Sequence, residues 1–110
     1  MNNYSLKLKK NPTMKDFHAY VERLEIIRGF SNEDILEKCL LLGEEVGELF
    51  KAIRKEKGIK VDHTNSKFKS ISEELADILI FLLSIANRFN INLEDSFRLK
   101  EKINKKREWL

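Results

Sequence analysis

The chain predicts an all-α fold, a bundle of four helices whose second and third members form an apolar centre. Three observations carry that expectation. A capping residue followed three positions later by an acid occurs at Thr13–Asp16, Ser31–Asp34, Ser70–Glu73 and Asn92–Asp95, the signature of a helix start. The 110 residues hold one proline and four glycines, so few residues break a helix. No stretch alternates apolar and polar side chains with the period of a strand.

Taken in order, residues 1–12 form a loose N-terminal arm ending at Asn11-Pro12. Residues 13–110 then form one domain with a core of modest size. Helices are expected over about 14–28, 32–57, 71–89 and 93–108. Gly29 and Gly58 stand at C-terminal stops. The connection over about 58–69 is polar, lacks periodicity and is expected to be mobile. Helix two carries Leu36, Leu40, Val46 and Phe50 behind its acids, and helix three carries Leu79, Leu82, Leu83 and Ala86. A helix that is apolar on every side must be buried on every side. Four short helices cannot cover two of them, which implies a homo-oligomer, a dimer or a dimer of dimers. Gly43 and Gly47 each cost about 1 kcal/mol in a helix interior. Their expected return is the close approach of a neighbouring backbone.

The net charge is only +3 and charged residues make up 35%. The basic residues gather in KGIKVDHTNSKFKS and in RLKEKINKKREWL. A phosphate-rich partner or substrate explains them, and so does a solvated helix end whose cations favour the negative dipole terminus. One cysteine excludes an internal disulfide and a zinc–thiolate site. Cys39, among Leu36, Leu40 and Gly43, reads as a small core residue. No apolar run follows a basic start, so no signal peptide is expected. The apolar run from Ile78 to Ala86 falls far short of the roughly 20 residues of a membrane span. A cytoplasmic protein is the expectation.

Chemistry enters with five acids. Glu44, Glu45 and Glu48 stand in GEEVGEL, and Glu74 and Asp77 in SEELADILIF. At 100° per residue, Glu48 lies at about 300° from Glu45, with Leu41, Leu49 and Ala52 within about 40° of it. Asp77 stands at the same angle from Glu74, beside Phe81, Ile85 and Ile78. Acids on an apolar stripe are expensive unless something positive compensates them. Two helices packed on these faces would set four carboxylates opposite one another. A hard divalent cation, which takes oxygen ligands, is the cheapest compensation.

Lys100, Asn104 and Arg107 share one face of helix four, at i, i+4 and i+7. Arg88 falls on the carboxylate side of helix three. Together with the acids they could hold a metal-bound polyphosphate, because Lys and Arg meet phosphate oxygens. Each keeps a plainer alternative. For Arg88 it is an intramolecular salt bridge, and for the trio a solvated helix face.

The two motifs, Glu44-Glu45-Val46-Gly47-Glu48 and Glu74-Leu75-Ala76-Asp77, resemble those of the MazG-like all-α nucleoside triphosphate pyrophosphohydrolases. The resemblance runs through ELADILIFLLSIANRFNINLEDS and the Lys100, Asn104, Arg107 trio, covering about residues 36–109. It implies a Mg²⁺-dependent cleavage between the α and β phosphates of a (deoxy)nucleoside triphosphate, with Mn²⁺ as the alternative ion. The products are the monophosphate and pyrophosphate, and the role is housekeeping of the nucleotide pool. Carried over, Glu45, Glu48, Glu74 and Asp77 hold the metal. Glu44 serves the attacking water or a second metal. Lys100, Asn104 and Arg107 hold phosphates, with Arg88 beside them. Phe17, Tyr20 and Trp109 are the candidates for contact with the base.

Two other classes were weighed. A ferritin-like di-iron bundle wants Glu-x-x-His on its helices. Neither His18 nor His63 follows a clustered Glu at that spacing. A non-enzymatic bundle binding nucleic acid through its basic C-terminal helix is the stronger alternative. It leaves the acids in apolar stripes unexplained, and those acids would repel a phosphate backbone.

Overall fold

The structure is a computed structural model that describes residues 3–62 and 70–109. Among them lie four α-helices, α1 (Met14–Arg28), α2 (Ile35–Glu56), α3 (Ile71–Arg88) and α4 (Leu93–Asn104), and no strand. The all-α expectation therefore holds. His63 and most of the polar connection fall outside the described residues. No helix among those described is long and apolar enough to cross a membrane. The chain divides into two compact units, Met1–Asn32 with Leu83–Leu110, and Glu33–Leu82.

In the first unit, α1 starts at a complete capping box. The Asp16 N–H donates to Thr13 Oγ1 at 3.3 Å, and the Thr13 N–H donates to Asp16 Oδ2 at 2.7 Å. The helix stops at Gly29, whose φ of 77° suits glycine. The Phe30 N–H then reaches back to Glu25 O at 2.7 Å, which satisfies a carbonyl of the last turn. α1 packs against α4 and against a 3-10 turn at Asn3–Ser5. Leu6, Val21, Leu24, Leu83 and Ala86 are buried. The N-terminal segment thus carries structure: Arg28 Nε donates to Asn3 Oδ1 at 2.8 Å, and Lys9 pairs with Asp16 at 3.4 Å.

In the second unit, α2 begins three residues later than the sequence suggested. Asp34, not Ser31, is the N-cap, and its carboxylate accepts from the Glu37 N–H at 2.8 Å. The end of α2 is closed by Arg54, whose Nη1 donates to the carbonyls of Ile59 and Lys60, each at 2.7 Å. α3 opens where Ser70 Oγ accepts from the Glu73 N–H at 3.1 Å.

Two sequence expectations need correction here. Cys39 is exposed, not a core residue. A Cβ added at Gly43 or Gly47 would meet nothing within 4 Å among the described residues, so none of their backbone approaches these glycines closely. Leu36 and Leu40 on α2 are each more than 70% exposed, and Phe50, Leu75 and Leu82 are exposed too. Part of the apolar excess read from the sequence thus stands exposed among the described residues, while Leu83 and Ala86 are buried.

Candidate metal centre

The site builds from α2 and the first half of α3. Glu45 lies midway along α2, and Glu74 and Asp77 lie one turn apart on α3. One carboxylate oxygen from each lies within 4.8 Å of the others. Glu74 is 1% exposed, while Glu45 and Asp77 are half-buried. Glu45 Oε2 is buried and accepts no hydrogen bond among the described residues. A buried carboxylate oxygen lacking a donor is costly. Three hard oxygen donors converging around it suit Mg²⁺ or a similar cation. The residues therefore fit the group the sequence implied.

The structure brings together three of the four expected ligands. Glu48 stands a turn further along α2 and is exposed, as is Glu44. Two lysines escaped the sequence reading. Lys38 and Lys55 are both buried. Burial pushes the Lys55 ammonium below its ordinary range, Lys51 and Arg54 push it further, and Glu48 pulls it back. The signal that could have found them is spacing: Lys38 precedes Glu45 by seven residues, and Lys55 follows Glu48 by seven. Seven residues return to within about 20° of the same helix face.

The phosphate candidates lie in the other unit. Lys100 is exposed on α4, and Asn104 is half-buried at its end with Oδ1 lacking a hydrogen-bond donor among the described residues. Both line an open groove shared with Met14 and Phe97. Arg107 lies beyond α4, because the helix ends at Asn104 rather than near residue 108. Its guanidinium rests 4.6 Å from the centroid of the exposed Trp109 ring, a cation–π distance. Arg88 is engaged within its own unit. It meets Glu25 Oε2 at 3.5 Å and donates to the carbonyls of Phe30 and Ser31 at 3.3 and 3.1 Å. It braces the turn that follows α1.

Among the described residues the chain is all-α, with three carboxylates from two helices converging where a divalent cation could be held. Residues 31–110 match the MazG nucleotide pyrophosphohydrolase domain, and the chain belongs to that family. It is also similar to the uncharacterized protein YpjD of Bacillus subtilis (strain 168), 34% identical over 95 residues and 84% of each chain. No solved structure gives a significant match.

Proposed function

We propose that this protein is a Mg²⁺-dependent nucleoside triphosphate pyrophosphohydrolase, releasing a nucleoside monophosphate and pyrophosphate. The observation that carries the reading is the convergence of Glu45, Glu74 and Asp77 oxygens within 4.8 Å of one another, in a chain of the MazG family. These three would hold the cation, with Glu48 joining from the next turn. A bound divalent cation supplies charge neutralisation on the phosphoryl oxygens and a water acidic enough to attack at neutral pH. Glu44, adjacent to Glu45 in the sequence, would take the proton of the attacking water. The water oxygen bonds to one of the two phosphorus atoms flanking the α–β bridge, and the bridging oxygen leaves with the other. Lys100, Asn104 and Arg107 hold the phosphate chain, Lys and Arg through charge-assisted hydrogen bonds. Residues 13–110 are proposed to act as one catalytic domain.

The exposed Leu36, Leu40, Phe50 and Leu75 support self-association as a dimer or dimer of dimers. A monomer mass by light scattering at micromolar concentration would exclude it. An exposed free thiol at Cys39 suits the reducing cytoplasm. Fractionation of producing cells tests that location.

The deciding experiment compares wild type with Asp77→Asn on a panel of deoxynucleoside triphosphates in Mg²⁺, with pyrophosphate measured directly. Wild type should release pyrophosphate with little orthophosphate, and Asp77→Asn should lose nearly all turnover. Equal activity in the two proteins would refute the metal assignment. Tight binding of DNA or RNA by both, with no cleavage by either, would favour the nucleic-acid reading.

A further inference from the structure

Leu93 is the first residue of α4, so its N–H has no partner within the helix. The N-cap side chain does not reach it, because Asn92 Oδ1 accepts from the Asp95 N–H at 3.1 Å. The Leu93 N–H instead donates to the ring Nε2 of His18, on α1, at 3.1 Å. A backbone N–H can only donate, so Nε2 must present its lone pair. In the neutral ring the proton then sits on Nδ1. Nδ1 lies 2.8 Å from Asn87 Oδ1, on α3. That amide cannot be turned round, because Asn87 Nδ2 donates to the His18 carbonyl at 3.0 Å. Every atom in this chain of bonds has one consistent role.

We propose that His18 is a positioning residue: through Nε2 it fixes the first turn of α4 and thereby the aim of Lys100 and Asn104. This rests on the reading of α4 as the phosphate-holding helix. The reasoning is leverage. Lys100 and Asn104 lie about 10 and 16 Å along the axis from Leu93 at 1.5 Å per residue. A tilt of about 5° pivoting at Leu93 would move Asn104 by about 1.4 Å, enough to degrade a polar contact severely. His18 also lies outside the segment that matches the family domain, residues 31–110.

The test uses full-length protein and two independent readouts. Long-range ¹H–¹⁵N correlation on ¹⁵N-histidine protein should show the neutral His18 ring as the Nδ1–H tautomer. His18→Ala should speed amide exchange at Leu93 about tenfold and raise KM for the triphosphate severalfold while kcat falls less. His18→Gln can accept from the Leu93 N–H through its amide oxygen, so its exchange and KM should stay within about threefold of wild type. An Nε2–H tautomer would overturn the proposal. So would a KM raised as far by Gln as by Ala. If His18→Ala fails to fold, the wild-type tautomer and the Gln variant decide. If no triphosphate is cleaved by wild type, the enzymatic reading fails, while the tautomer and the exchange rates still judge the clamp.

Discussion

Replacing Glu45 by Gln should make the cation-free protein more stable, not less. The side chain keeps its volume and loses its charge. Glu45 shares a 4.8 Å neighbourhood with the oxygens of Glu74 and Asp77. Two unit charges at that distance repel by about 3.5 kcal/mol at an effective dielectric of 20. Two such pairs cannot store their full sum, because uptake of one proton by an ordinary carboxyl at pH 7 costs only about 4 kcal/mol. Positive charge on the same helix, such as Lys55 beside Glu48, would reduce what remains. Glu45→Gln should therefore gain between about 1 and 4 kcal/mol in chelator. Wild type should close the gap as Mg²⁺ is added: at ten times its dissociation constant the ion contributes about 1.4 kcal/mol, or roughly 5 °C in Tm. The assay is a pair of melting series at constant ionic strength, from chelator to 10 mM Mg²⁺. A variant less stable than wild type in chelator would refute the reasoning, since Glu45 would then be a structural partner. An unchanged wild-type Tm across the series would refute the cation site.

Glu44→Gln should lower kcat more than it raises KM, and Lys100→Ala should do the reverse, in steady-state pyrophosphate release. A uniform loss in both would separate neither role. Thr13→Ala removes the α1 cap and should cost about 1 kcal/mol by denaturant melt at pH 7. The Thr13 N–H holds the Asp16 carboxyl below its ordinary 3.8. That depression adds stability above the ordinary value and is lost as pH falls through the lower folded value. Because Thr13→Ala keeps that backbone N–H, the acid limb should flatten instead in Asp16→Asn, which has no carboxyl to titrate, and an unchanged limb there would sink the assignment. Equilibrium dialysis of Mn²⁺ without nucleotide should find one ion per chain.

Local chemistry was legible in the sequence and long-range partnership was not. The box at Thr13 and Asp16 and the cap at Asn92 stand where they were read, because capping involves residues three apart. The start of α2 was misplaced because two signals compete three residues apart. Asp34 serves the Glu37 N–H, while the Phe30 and Ser31 carbonyls are held by Arg88, 58 and 57 residues away in the chain. Carboxylate spacing located the Glu45, Glu74 and Asp77 cluster, since each pair lies on a helix face that periodicity reveals. The same periodicity reads His18 as a helix-face residue. Its partners are 69 and 75 residues distant, and no local pattern encodes them.

A charge count on the α2 and α3 faces gives the cluster its physical sense. Glu45, Glu48, Glu74 and Asp77 contribute four negative charges on one pair of helix faces. Lys38 and Lys55, seven residues before the first and seven after the second, return two positive ones. Among these six side chains the remainder is minus two, which one divalent cation would neutralise. Buried charge is tolerated when it is paired and hydrogen-bonded, and a buried acid lacking such a partner is expensive. Full compensation by lysines would leave no driving force for a metal. None at all would drive the helices apart before a metal arrived. Glu45 Oε2 lacks a donor among the described residues, so the compensation at the cluster is incomplete. A second cation would raise the local charge above neutrality, so its binding should require the negative charge that a triphosphate brings.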